Sequence, residues 1–358
     1  MTGSLETPHG RLQLPVFLPD ATRAVVRSVD SSDLESCGVQ GIVVNTFHLL
    51  GGPGTRILAS QGGVHGFMGW PGVVTADSGG FQIYSLLEHD PGLGSVSPKG
   101  FRYRTKKGGR KNILTSEKCI RRQFQLGADI MMCLDYCTHP DAPDEIQHDS
   151  VQNTVRWARE CRDEFDKRLE KIRDDAGKPL LMAVIQGGAD RELRKECADR
   201  LIEIGFDGYC YGGWPFDKDG SLIEPVEYTA RMMPDDKPKF ALGICGPEHI
   251  VSCVKMGYTL FDGALPTRDA RRGRLCVFNS PPESVGKLAR EFYSRIYIQD
   301  EKFANDRKPV DESCSCLCCS RYTRAYLHHL FKIEDPLGFR LATIHNLRFY
   351  MRLMSALK

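Results

Sequence analysis

A (β/α)₈ barrel is the fold class this sequence predicts, and three observations predict it. Short apolar runs rich in branched or aromatic residues recur at 15–19, 41–46, 73–77, 129–135, 180–186, 208–212, 240–245 and 260–263. Each is too short for a helix and reads as a strand. Charged stretches with helical periodicity separate several of them, for example 149–172, 191–204 and 247–256. Polar residues of chemical interest (Asp77, Asp135, Gln186, Gly213, Asp262) fall at the C-terminal ends of five strands, the end at which barrel sites are built. A doubly wound open sheet is the competing layout, but it collects its ligand at one switch point between a few strands. Five strands feeding one site favour a ring.

Two segments interrupt the alternation. Residues 88–114 are Gly- and Lys-rich, and the stretch from Phe101 to Asn112 reads as a basic hairpin. Beyond Asn279 the pattern leaves the barrel: a helix is expected around 283–293, then a cysteine cluster, then helices at 321–331 and 341–357. The expected organisation is therefore a catalytic barrel over 1–279 with the hairpin inserted, and a helical metal-binding subdomain over 280–358.

The chain has 358 residues, 41% hydrophobic and 26% charged, which is ordinary for a globular enzyme. Its formal net charge is only +2, so a nucleic-acid partner has to meet local basic patches rather than a basic whole. No run approaches about 18 apolar residues, and residues 1–10 lack a charged-then-apolar leader pattern. A cytoplasmic protein without a membrane partner is expected.

Fourteen cysteines are many for that compartment. Scattered ones such as Cys133, Cys210 and Cys245 sit in apolar runs as small buried thiols. Four others crowd into 314–319. Cys314, Cys316 and Cys319 supply three soft ligands, and His345 follows 26 residues after Cys319. Three thiolates and one imidazole close a tetrahedron around one structural Zn²⁺ with no position left for substrate. Cys318 could replace Cys319, and His328 or His329 could be the fourth ligand.

Three further segments carry chemistry. Asp77-Ser-Gly-Gly-Phe-Gln puts a carboxylate beside glycines that let a ligand approach the backbone, although the same tetrapeptide is also an ordinary turn. Asp262 ends an apolar strand and is followed within twelve residues by Arg268, Arg271, Arg272 and Arg274. Those arginines either neutralise the acid or form a phosphate-binding rim beside a nucleophile. Asp135, Gln186 and Gly212-Gly213 have the donors and acceptors to pair with the edge of a guanine.

Taken together these segments resemble the queuine/archaeosine tRNA-ribosyltransferase family, and the bacterial-type tRNA-guanine transglycosylases most closely. The carriers are Asn45-Thr-Phe-His-Leu, Asp77-Ser-Gly-Gly-Phe-Gln, the stretch from Asp129 to Thr138, Ile185-Gln-Gly-Gly, the stretch from Ile204 to Tyr209, Leu260-Phe-Asp with Pro266-Thr-Arg, and the cysteine cluster leading to His345-Asn-Leu-Arg. The resemblance implies Asp262 as nucleophile and Asp77 as general acid/base. It implies a base site of Ser78, Phe81, Asp135, Gln186, Gly212, Gly213 and Leu242, with Phe81 and Leu242 sandwiching the base. It matches Cys314, Cys316, Cys319 and His345 to zinc ligands. Its implied partners are the anticodon loop of tRNA, guanine, a 7-deazaguanine base and a second copy of the chain. Arg268, Arg271, Arg272, Lys106, Lys107 and Arg110 are the expected tRNA contacts, because they concentrate positive charge on a nearly neutral protein.

The sequence departs from the family pattern in four places. A small apolar run ending in a carboxylate is replaced by Trp214-Pro-Phe-Asp-Lys. The turn after the first strand is Asp20-Ala-Thr-Arg-Ala rather than Gly-rich. A helix-like insertion spans 281–295, and the usual C-terminal extension is missing. The first departure bears on the incoming base: queuine is expected over the aminomethyl base preQ1, because Lys218 stands where a carboxylate would pair with the cation. A DNA-directed deazapurine transglycosylase and a catalytically silent tRNA-binding subunit are the competing functions; the presence of both aspartates argues against the second.

Overall fold

Alternation along each apolar run decides which side chains enter the barrel. In Leu180–Ile185, Met182 and Val184 join one buried cluster, whereas Leu181, Ala183 and Ile185 join another. This is the period-two alternation of a strand buried on both faces. The computed structural model describes residues 3–172, 177–285 and 291–358. Eight such strands occur: Val16–Pro19 (β1), Gly41–Asn45 (β2), Val73–Asp77 (β3), Ile130–Met132 (β4), Leu180–Ile185 (β5), Gly208–Tyr211 (β6), Lys239–Ala241 (β7) and Leu260–Gly263 (β8).

All eight are parallel, in the spatial order β1-β8-β7-β6-β5-β4-β3-β2. The ring closes between its end strands, where Asp20 bridges to Val43 and the Ala21 N–H donates to the Val43 carbonyl at 2.7 Å. The expected α/β barrel is therefore the observed one. Inside it, Val16, Leu18, Val43, Val73, Ile130, Met132, Met182, Val184, Cys210, Phe240 and Leu260 form one apolar column. The outward side chains meet the surrounding helices in a second, larger cluster.

A hairpin of Ser4–Thr7 and Gly10–Gln13, not foreseen in the sequence, closes the N-terminal end. Its Leu12, together with Leu14, joins the interior column as a floor. Buried Asp129 ties the floor down, accepting the N–H groups of His9 (3.1 Å) and Val74 (2.7 Å).

Between β3 and β4 the chain forms the helix Gly80–His89 and a three-stranded antiparallel sheet of Gly94–Ser97, Gly100–Tyr103 and Asn112–Leu114. The expected hairpin is thus present with one strand more, and its loop holds Lys106, Lys107 and Arg110 exposed. Helix Asp144–Leu169 begins five residues before the expected position, directly after Pro143. Helix Pro336–Ala356 likewise starts early, because Asp335 caps it (accepting from Leu337 N, 2.8 Å) and Pro336 fits its first turn. Its Tyr350 packs on Phe17 of β1, ring centroids 4.7 Å apart.

Among the described residues no α-helix forms in the span 283–293 where one is expected. A single 3₁₀ turn forms at Pro282–Ser284, residues 286–290 lie outside the described residues, and Tyr293–Tyr297 is a strand. That strand (β10) pairs antiparallel with Arg274–Phe278 (β9), so the ladder overrides the helical pattern. Among the described residues no helix is long and apolar enough to cross a membrane.

Candidate active site and metal centre

Every barrel strand delivers a residue to one pocket of about 400 Å³ at the C-terminal mouth. In strand order these include Asp20, Asn45, Asp77, Asp135, Gln186, Gly212, Leu242 and Asp262. The volume falls in the range of small-ligand sites. Four of the lining residues are carboxylic acids.

Asp77 ends β3 and enters the turn Ser78-Gly79-Gly80. Both glycines are required there. Gly79 has φ +83°, and a Cβ on it would meet the Phe47 backbone nitrogen at 2.9 Å; one on Gly80 would meet the Asp135 carbonyl at 2.9 Å. The turn therefore packs between the β2 and β4 loops and fixes the carboxylate. Asn45 Nδ2 donates to Asp77 Oδ2 at 2.5 Å. Burial raises the Asp77 pKa, and hydrogen bonds from the Gly79 and Ser78 N–H groups, Gln82 and Asn45 oppose the rise.

Asp135 lies in the loop after β4. Gln186 Nε2 donates to its Oδ2 at 2.7 Å, and Ser78 Oγ lies 3.4 Å from its Oδ1. Burial and then the Asp77 charge push its pKa up to about 7, against the pull of the two side-chain hydrogen bonds. Asp262 ends β8 and accepts the Gly243 N–H on Oδ1 at 2.8 Å. Burial pushes it to about 7 as well; the Gly243 bond opposes this, and the charges of Asp77 and Asp20 add to it. None of Arg268, Arg271, Arg272 or Arg274 pairs with Asp262 among the described residues. Asp269 takes Arg274 and Arg295 at 4.0 Å instead. These four arginines therefore do not neutralise Asp262 by pairing with it.

These raised values have a consequence for stability. A carboxyl with a folded pKa near 7 and an unfolded value near 4 holds its proton in the folded state, so its contribution is full below about pH 4 and is lost as pH rises through 7. Asp262→Asn keeps the acceptor for Gly243 and removes the charge. It should melt roughly 2–5 °C above the wild type at pH 8, with the gap shrinking toward pH 5. A gap independent of pH in calorimetry would contradict the raised value.

Phe81 and Leu242 stand on the pocket walls, with Phe81 40% exposed at the mouth. Trp214 meets Phe81 edge-on (6.0 Å) and His139 (5.7 Å), so an aromatic rim borders the opening. Pro215 and Phe216 continue that wall.

Away from the pocket, Cys314, Cys316, Cys319 and His345 are all buried, with their ligand atoms within 4.8 Å of one another. His345 Nε2 donates to the Cys276 carbonyl at 2.8 Å, leaving the Nδ1 lone pair to face Cys319 Sγ (3.2 Å) and Cys316 Sγ (3.9 Å). That tautomer and that donor set fit a metal ion. The alternative ligands are excluded by position: His328 Nδ1 bonds the Ile298 carbonyl, and neither Cys318 nor His329 joins the cluster.

The family model described as queuine tRNA-ribosyltransferase matches residues 1–358. The chain belongs to that family. It is 38% identical over 359 residues to the queuine tRNA-ribosyltransferase of Staphylococcus haemolyticus, covering 99% of this chain and 87% of that protein. It is 38% identical over 357 residues to the protein of the same name from a Thermoanaerobacter species, covering 99% and 88%. The Halothermothrix orenii protein of that name is 37% identical over 358 residues, again covering 99% and 88%.

Membership makes the chain an enzyme, a tRNA-guanine transglycosylase. In this transglycosylase the two expected catalytic aspartates and Phe81, Asp135, Gln186, Gly212, Gly213 and Leu242 line one pocket, and Ser78 lies just behind it on Asp135. Arg268, Arg271, Arg272, Lys106, Lys107 and Arg110 lie outside it. Asn45, Gln82 and Asp20 were not singled out for the site from sequence. Asn45 and Gln82 stood in two of the segments that carry the family resemblance, and Asp20 directly follows β1.

Proposed function

We propose that this enzyme exchanges a guanine in the tRNA anticodon loop for a 7-deazaguanine base by double displacement, with Asp262 as nucleophile and Asp77 as general acid/base. The observation that carries this is the pair of carboxyls on different strands of one barrel mouth, each held by a fixed donor (Gly243 N–H on Asp262, Asn45 Nδ2 on Asp77). Ionised Asp262 attacks the anomeric carbon; the C1′–O bond to the carboxylate forms as the bond to guanine N9 breaks, and Asp77, whose protonated form burial favours, gives its proton to the leaving guanine. The oxocarbenium-like transition state is stabilised by that carboxylate. The incoming base then attacks C1′, its N9 proton passes to Asp77, and the ester bond to Asp262 breaks. Two inversions give net retention. Since one glycosidic bond replaces another, no nucleotide triphosphate is needed. Asp135, with Gln186 behind it, offers an acceptor to the ring and amino N–H groups of the base, and the Gly213 backbone offers a donor to its carbonyl. The target nucleotide must be unstacked to reach this depth.

Arg268, Arg271 and Arg272 beyond β8, and Lys106, Lys107 and Arg110 on the hairpin, form the phosphate-facing rim in this reading, on both sides of the mouth. A homodimer is carried over with the family, and sedimentation would measure it.

Queuine is the favoured incoming base. The wall beside the base site is Trp214, Pro215 and Phe216, while Asp217 and Lys218 do not line the pocket. Asp217 Oδ1 accepts the N–H groups of Asp219 and Ser221, both at 2.9 Å, so its carboxylate closes its own loop. This loop therefore brings no carboxylate to an aminomethyl cation, and it adds apolar surface for a larger substituent. Exchange of labelled guanine, preQ1 and queuine into one tRNA tests both levels of the proposal. Guanine exchange is expected in all cases, with kcat/KM for queuine above that for preQ1. A tenfold preference for preQ1 would reverse the choice of base, and absent guanine exchange would overturn the function.

The metal is zinc in this reading, held by Cys314, Cys316, Cys319 and His345, and it pins the loop before Leu317–Arg321 to the C-terminal helix. Metal analysis should give one Zn²⁺ per chain. Cys316→Ser should lower the melting temperature by on the order of 10 °C without changing the order of preference among bases. A metal-free preparation of wild-type stability would contradict a structural ion.

A further inference from the structure

A second concavity, of about 560 Å³, lies beside the catalytic pocket on the same face of the barrel. Three segments build it: the loop after β1, the short helix Thr46–Gly51 after β2, and the hairpin between Gly100–Tyr103 and Asn112–Leu114. Arg23 comes from the first, Phe47 and His48 from the second, and Tyr103, Arg110 and Asn112 from the third.

The two cavities share their supports. Asp20 and Thr22 face the pocket while Arg23 faces the groove. Asn45 lines the pocket and caps the helix that carries Phe47 and His48, its Oδ1 accepting from His48 N at 3.3 Å. Their charge is opposite. Four carboxyls line the pocket, whereas among the described residues no carboxyl lines the groove, and Arg23 and Arg110 form no ion pair. Burial and then the Arg23 charge hold the His48 imidazole below its ordinary pKa, against the opposing charge of Asp20. The apolar part is aromatic: Phe47 lies 5.7 Å from Tyr103 and 5.3 Å from the His48 ring, centroid to centroid. Unpaired guanidinium groups recognise phosphate, and aromatic rings accept any stacked base.

We propose that this groove holds the nucleotide adjoining the exchanged one, with Arg23 and Arg110 on its phosphodiester and the Phe47–Tyr103 surface against its base. The inference rests on the transglycosylase reading and adds to it a place where the strand is gripped while one base is drawn into the pocket. Holding a neighbour supplies binding energy that offsets the unstacking of the target base.

The test uses anticodon stem-loops with one neutral methylphosphonate linkage on either side of the wobble nucleotide, bound to the whole wild-type chain and to Arg23→Ala and Arg110→Ala. Arg23 and Arg110 are exposed loop residues, so both variants should fold. At one of the two linkages the wild type should lose about five- to tenfold in affinity. Arg23→Ala should lose a similar factor on the unmodified RNA, show a log K against log salt slope shallower by about 0.7–0.9, and lose nothing more on the neutral linkage. Lys255→Ala, at the C-terminal end of helix Pro247–Lys255 and therefore at the opposite pole, should change neither quantity. Unchanged affinity and slope in both arginine variants, or equal linkage effects in variant and wild type, would overturn the proposal. So would a change in subunit association on sedimentation with no change in RNA binding, which would make the groove a protein contact. Labelled-guanine exchange into full tRNA separates the two levels. Exchange without a groove effect removes only the groove, whereas no exchange removes the reading beneath it.

Discussion

Asp262→Asn is expected to bind tRNA and to form no denaturation-resistant protein–RNA adduct. The carboxylate ends β8 with one oxygen held by the Gly243 N–H, so an amide of the same shape preserves the loop while removing the attacking oxygen. Turnover should fall by at least about 10⁴-fold, the scale seen when a nucleophile is removed. The wild type carries a related signature. Asp262 must be ionised to attack, and its pKa is pushed up to about 7, so kcat/KM for tRNA should decline as pH falls below that value. An adduct of wild-type yield from the asparagine variant, on a denaturing gel, would remove Asp262 from the chemistry.

Asp77→Asn should retain tRNA binding and lose about 10²–10⁴-fold in turnover, the usual share of a positioned acid/base group. Its carboxylate is fixed by Asn45 and by the Gly79 turn, so the loss would reflect the proton rather than a moved loop. The same substitution removes one of the like charges that raise Asp262. The acid limb of the pH profile should therefore move to lower pH in whatever activity remains. A fall of less than tenfold under saturating base would assign proton transfer elsewhere.

Legibility in the sequence followed local chemistry. Helix Arg191–Ile204 coincides with its expected bounds because Asp190 caps it, accepting from Glu192 and Leu193 N–H groups, and Gly205 ends it. Strand β3 and strand β8 also match. β4 and β7 came out as three residues each, Ile130–Met132 and Lys239–Ala241, where longer runs were expected. After Met132 and Ala241 the apolar pattern continues, but the backbone leaves the ladder to build pocket loops, and composition does not record that change. The floor hairpin was hidden for the opposite reason: its strands are four residues each and mostly solvent-facing, so they carry little pattern. In the site, Asp77, Asp135, Gln186 and Asp262 were legible from type and strand-end position. The arginines after Asp262 are adjacent to it in sequence, but none pairs with it among the described residues, and Arg274 reaches Asp269 instead at 4.0 Å.

The leucine floor also sets the traffic of the exchange. With Leu12 and Leu14 filling the far end among the described residues, the C-terminal mouth is the door the pocket presents, and in the proposed reaction the RNA stands in it. The departing guanine and its replacement must then use that door in turn while the ribose stays esterified to Asp262. Neither can push the other through. Guanine that lingers behind the Phe81–Trp214 rim blocks its successor, and guanine that returns from solution reverses the first half-reaction. Added guanine should therefore slow incorporation by competing for the esterified enzyme, with an inhibition that more tRNA does not relieve.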